Sequence, residues 1–140
     1  MKAVIDNNVI VDALKPNPQF EAEAQEILRL ASIKTIDGFI NANSLTDIFY
    51  ILRKEHGADK AKAMIKKLLL IVDIISIESG DCALALERPL NDFEDALVDV
   101  CAKKIGAACV VSRDEAFIKS ATEVEIIKPG EFIELCKKRY

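Results

Sequence analysis

Five short β-type runs alternate with helical stretches along this 140-residue chain, and that order leaves few folds open to it. The runs are Lys2–Ile5, Thr35–Ile40, Asp73–Ile77, Ala108–Ser112 and Val124–Ile127. None alternates cleanly between apolar and polar residues, as a strand with one wet face would. The first and fourth are almost wholly apolar, which suits the middle of a parallel sheet covered on both sides. Helical spacing fills the gaps: Phe20–Ala31, Ser44–Arg53, Ala58–Leu70, Gly80–Leu86, Asp92–Ile105, Glu115–Ser120 and Pro129–Lys138. Gly106 stands where a residue just past a helix end belongs, and Pro129 where a helix begins. A β-α-β-α order predicts an α/β fold with a parallel sheet and right-handed crossovers. It also predicts a point beside the first strand, at Asp6, where the chain changes from one side of the sheet to the other.

The length predicts a single domain over residues 1–140, with no internal repeat or low-complexity tract. Aromatic residues are few and tryptophan is absent, so the core must rest on Ile, Leu, Val and Ala. The apolar start is broken by Asp6, Asn7 and Asn8, unlike a signal peptide, and the longest apolar stretch, Leu68–Val72, is too short to span a bilayer. A soluble, cytoplasmic protein is expected. Its four cysteines, Cys82, Cys101, Cys109 and Cys136, form no C-x-x-C pair and read as buried free thiols. His56 is the one histidine and falls at a helix end, which argues against zinc. A net charge of −4 argues against binding nucleic acid by bulk charge, though not against a nuclease whose metal-holding acids count toward that total. The pairs Arg53-Lys54, Lys60 with Lys62, and Lys66-Lys67, and the run Lys137–Arg139, read as solvated helix faces and a helix end.

Four acids stand where an α/β fold gathers its ligands. Asp6 ends the first strand, and Asp114 follows the fourth. Asp47 and Asp95 lie in the first turns of the predicted helices Ser44–Arg53 and Asp92–Ile105. Strand ends and the starts of the following helices share one rim. Carboxylates collected there repel: two charges about 4 Å apart cost about 4 kcal/mol at an effective dielectric of 20. A cation offsets that cost, and an all-oxygen set suits Mg²⁺ or Mn²⁺. Each acid also has a plainer explanation. Asp6 suits a turn, Asp47 a capping box begun by Ser44, and Asp114 the cap of a helix at Glu115. Asn91 and Glu94 read as a cap and its box partner. Asp92, Asp95 and Asp99 share one helix stripe, and capping does not account for Asp99. The metal reading therefore rests on the set.

Other chemistries fit less well. An aspartyl-phosphate enzyme wants a second Asp where Asn8 stands. No glycine-rich loop follows the first strand. A Ser or Cys nucleophile lacks a base, with His56 alone. A receiver-like signalling domain also has five parallel strands and would use Lys128, but it wants an acidic pair after strand one.

The stretches Val4–Ile10, Asn43–Ile48, Asp92–Leu97 and Val110–Phe117 together resemble the PIN-domain family, in particular the small prokaryotic VapC-like toxins. The resemblance implies three α/β/α layers around a five-stranded parallel sheet of order 3-2-1-4-5. It implies a metal-dependent endonuclease for single-stranded RNA, using Mg²⁺ or Mn²⁺, serving as the toxin of a toxin–antitoxin pair and forming a homodimer. Asp6, Asp95 and Asp114 fall on the family's acidic positions. Asn8 and Ser112 fall on polar positions of the same pocket, and Asp92 adds a further carboxylate. Asp47 falls where most members have Glu, one methylene longer. The alternative is a catalytically weak or inactive PIN-like module that works through a protein partner, such as an antitoxin placing a basic side chain in the pocket.

Overall fold

The computed structural model describes residues 1–15 and 17–139. Along the chain lie β1 (Lys2–Ile5), α1 (Asn7–Leu14), α2 (Glu21–Ser32), β2 (Asp37–Asn41), α3 (Ala42–His56), α4 (Ala58–Leu68) and β3 (Asp73–Ile75). They are followed by α5 (Ser79–Glu87), α6 (Phe93–Lys104), β4 (Cys109–Val111), α7 (Glu115–Ile118), β5 (Ile126–Ile127) and α8 (Pro129–Arg139). Among the described residues, five parallel strands form one sheet in the order β3-β2-β1-β4-β5. β1 is central, pairing Val4 with Phe39 on one side and Val110 on the other.

Period-two alternation divides the side chains of these strands between two cores. Ala3, Ile5, Cys109, Val111 and Ile127 face one side, where α1, α2, α3, α4 and α8 bring Ile10, Ile27, Leu52, Leu68 and Phe132. Val4, Val110 and Ile126 face the other, against Val98 and Cys101 of α6 and Phe117 of α7. α5 rides on α6 through Ala85, Leu97 and Val100. The result is the expected α/β/α sandwich. Burial on both faces explains why β1 and β4 read as unbroken apolar runs, each large side chain contributing about 1.5–3 kcal/mol.

The boundaries differ from expectation in informative ways. α1 has no counterpart in the pattern, because it opens with Asn7 and Asn8, which are weak helix formers. It is held by the Asp6 carboxylate, which accepts the Asn7 N–H at 2.9 Å, and by burial of Val9 and Ile10. α3 begins at Ala42, directly off the end of β2, so Ser44 is a buried third residue rather than a cap. Asp47 therefore sits in the second turn, and the capping-box explanation for it fails. α6 is capped by Asp92, whose Oδ1 accepts the Asp95 N–H at 3.0 Å. The cap falls one residue later than Asn91, which releases Glu94 from the box expected of it. α6 ends as predicted, with Gly106 just beyond at φ 69°. The edge strands β3 and β5 are shorter than their apolar runs, each having only one neighbour to pair with.

Candidate functional site

The carboxyl ends of β1, β2 and β4 and the start of α6 meet at one rim. Asp6 leaves β1 there, its backbone N–H donating to Val111 O at 3.0 Å. A cavity of about 120 Å³ is lined by Asp6, Asn8, Asn43, Asp92, Glu94, Asp95 and Asp114, among others. That is room for a cation and several waters.

The best-organised part is a polar cluster around Asp6. Ser112, fully buried, donates its hydroxyl to Asp6 Oδ2 at 2.7 Å. Asn8 Nδ2 donates to the same oxygen at 3.2 Å and to Ser112 Oγ at 3.1 Å. The Asp114 N–H donates to Ser112 Oγ at 3.1 Å, and Asp114 Oδ1 accepts from the Ala116 N–H at 3.0 Å, capping α7. Between Ser112 and Asp114, Arg113 is clamped to α1: its Nε and Nη2 reach the Asp12 carboxylate at 2.6 and 3.0 Å, and its guanidinium lies 4.1 Å from the centre of the Phe20 ring. That fork geometry fixes the turn carrying both site residues.

The two helical acids part company. Asp95 joins the cavity wall, while Asp47 is absent from it and instead accepts from Asn7 Nδ2 at 3.2 Å. Asp99 leaves the group altogether. It is fully buried, accepts the Glu123 and Val124 N–H groups at 3.1 and 2.9 Å, and lies 3.2 Å from Arg88 Nε. The extra acid in that stripe is a structural anchor. His56 ends α3, and Lys128 pairs with Glu115 at 2.9 Å; neither lines the cavity. Burial pushes the Cys109 thiol up to about 12, which suits a core residue rather than a nucleophile.

Glu94 and Asn43 are among the wall residues that the sequence pattern does not mark. The pattern makes Glu94 the box partner of a cap at Asn91, and with the cap at Asp92 instead its side chain joins the wall. Asn43 lies in a stretch that carried the family resemblance, but its type did not mark it as a donor. Its Oδ1 is buried and accepts no hydrogen bond.

The electrostatics are those of anions without a counter-charge. Asp95 is pushed up to about 7, by burial first and then by Asp92, Asp6, Asp114 and Glu94. Asp6 is raised by burial, against the opposing hydrogen bonds from Ser112 and the Asn7 N–H. Glu94 is raised by burial and then by Asp47, Asp92 and Asp6. Among the described residues, no three His, Cys, Asp or Glu side chains stand close enough together to hold a metal ion between them. A hydrated Mg²⁺ does not need three, since it keeps several waters and takes one or two carboxylates. The four carboxylates of the wall besides Asp6, the orphaned Asn43 Oδ1 and the cavity's size all fit such an ion.

A sign follows for stability. With Asp95 raised, the folded chain keeps a proton that the unfolded chain has released, between about pH 4 and about pH 7. Its contribution without metal therefore falls as pH rises through that window. A cation that binds the charged form offsets the loss. The rise in Tm on exchanging EDTA for millimolar Mn²⁺ is expected to grow from about pH 5 to about pH 7.5. A rise that is absent, or the same at every pH, contradicts this account of the cavity.

Comparison with known proteins places the chain. The sequence model of the PIN domain matches residues 2–116. The protein named Ribonuclease VapC1 from Aquifex aeolicus (strain VF5) is 29% identical over 140 residues, covering 95% of this chain and 94% of that protein. VapBC2 from Rickettsia felis, solved bound to a DNA fragment from their promoter, superposes with a TM-score of 0.71 at 15% identity, covering 91% of this chain and 98% of that one. VapC20 from Mycobacterium tuberculosis, described as a sarcin–ricin loop cleaving toxin, superposes at 0.64 with 18% identity, covering 82% and 92%. At those identities the structural matches speak for the fold.

Proposed function

This chain belongs to the PIN-domain family, and we propose that it is an endonuclease for single-stranded RNA, assisted by Mg²⁺ or Mn²⁺ and acting as the toxin of a toxin–antitoxin pair. The observation that carries the reading is the single cavity receiving Asp6 from β1, Glu94 and Asp95 from α6, and Asp114 from beyond β4. The relative named as a ribonuclease supports the reaction, and the VapBC neighbours support an antitoxin partner. Among the described residues no helix is long and apolar enough to cross a membrane. A cytoplasmic homodimer built from one domain per chain completes the reading.

Asp6, Asp95 and Asp114 would hold the ion, one or two of them directly and the rest through its waters, with Asn43 Oδ1 or Glu94 reaching it through water. When bound, such an ion lowers the pKa of a water and steadies charge on the scissile phosphate. The chain's own work is orientation. Ser112 and Asn8 hold Asp6 Oδ2, so the carboxylate presents one face to the cavity. Asp92 caps α6 and thereby sets the angle at which Asp95 projects. Asn7 draws Asp47 aside, leaving its charge to act at a distance, where it is felt at Glu94.

The test is cleavage of an unstructured and a structured oligoribonucleotide by purified protein with Mg²⁺, Mn²⁺ or EDTA. The expected pattern is cutting of the unstructured strand with either metal and none with EDTA. A second reading, a PIN-like module acting through a protein partner, draws on the withdrawal of Asp47 from the wall. It requires that neither metal support cleavage.

A further inference from the structure

We propose that a second cavity beside the acidic one is a nucleotide subsite, which holds the sugar and base next to the scissile phosphate while Lys119 takes the following phosphate. This rests on the nuclease reading. At about 120 Å³ the acidic cavity is too small for a nucleotide, so a substrate must lie across its mouth and continue along the surface. The adjoining cavity, about 330 Å³, shares Asp92 and Asp95 with it, so the two form one groove. Pro89, Leu90 and Ala116 give this second cavity apolar lining, and Asn91 and Lys119 give it polar lining.

Charge decides which direction a polyanion takes from the acidic site. A larger cavity of about 450 Å³ also contains cations, Arg113 and Lys128. Both are already spent, on Asp12 and Glu115. Glu23 and Glu131 share that wall, which among the described residues has no cation without an acidic partner. Lys119 is different: it is exposed at the end of α7 and, among the described residues, makes no ion pair. On a chain of net charge −4, attraction for RNA must be local, and Lys119 is the cation that the groove supplies. Asn91 offers an amide donor and an acceptor to a base edge, and the aliphatic wall accepts any base or ribose by contact. The subsite should therefore read sequence weakly and charge strongly.

The experiment compares Lys119→Glu with Lys103→Glu, which makes the same charge change beside a cavity sharing no residue with the groove. A fluorescent single-stranded oligoribonucleotide is the substrate, with Mn²⁺, read as separate KM and kcat at several salt concentrations. Lys119→Glu is expected to raise KM about tenfold with kcat little changed. The slope of log KM against log salt should fall by about 0.7, the share of one phosphate contact. Lys103→Glu should change KM less than about twofold. Equal KM values in wild type and Lys119→Glu, or equal rises in both variants, overturn the subsite while leaving the nuclease in place. Absence of cleavage by the wild-type protein overturns the nuclease reading, and the subsite with it.

Discussion

Asp95→Asn is expected to abolish metal-dependent RNA cleavage while raising the melting temperature of the metal-free protein. The two effects have one cause. Asp95 lies among Asp92, Asp6, Asp114 and Glu94, which together with burial push it up to about 7. An amide of the same shape removes a charge that its acidic neighbours and burial disfavour, so stability above neutral pH in EDTA improves. The same change removes a carboxylate that would bind the ion. Losing about 3–4 kcal/mol of charge stabilisation in the transition state lowers the rate by roughly 10²–10³-fold. Asp6→Asn should match the loss of activity without the same gain in stability, because Asp6 also caps α1 and receives Ser112 and Asn8. Rates are read on an unstructured oligoribonucleotide with Mn²⁺, and melting in EDTA at about pH 8. Near-wild-type cleavage by either variant would remove the basis for the site. A fall in the metal-free Tm of Asp95→Asn would show that repulsion does not govern the cavity.

Asp99→Ala should produce the largest loss of stability, about 3–5 kcal/mol. The carboxylate is fully buried and ties three segments together. It accepts the N–H groups of Glu123 and Val124 just before β5, and it lies beside Arg88, which follows α5. Arg88 has a second partner in Glu123 at 2.8 Å, but that carboxylate is half exposed and cannot replace the inner one. Truncation strands two amide donors and leaves the guanidinium beside an empty space. Asp99→Asn, which keeps one oxygen acceptor, should lose about half as much. Urea unfolding measures both. Cleavage per folded molecule should stay at the wild-type level, since Asp99 has no place in the cavity wall. A loss under about 1 kcal/mol for Asp99→Ala would refute the anchor, and a catalytic defect in a folded variant would return Asp99 to the site.

Asp99 also marks where sequence reasoning stopped. Periodicity placed it on a stripe with Asp92 and Asp95, and the three do share a helix. Spacing along a helix reports which way a side chain points, not what a neighbouring segment offers it. Here the offer comes from residues 24 and 25 positions later. What could be read was whatever repeats or accumulates: the five strands, the layering, their order through the family resemblance, and the gathering of Asp6, Asp95 and Asp114. What could not be read turned on single-residue offsets. α3 started two residues early and moved Asp47 out of its expected turn. The cap of α6 started one residue late and put Glu94 on the wall. α1 escaped notice because its stability comes from packing rather than from the propensities of Asn7 and Asn8.

Asp6, Asp92 and Asp114 each cap a helix as well as facing the cavity. A cap is worth about 1 kcal/mol whether or not the protein cuts anything. A descendant that gave up the reaction would still lose folding free energy by discarding these three, so drift would spare them. Glu94 and the side chain of Asp95 cap nothing, and relaxed selection would erase those two first. The residues most telling of a living enzyme in such a lineage are therefore the pair with no second occupation.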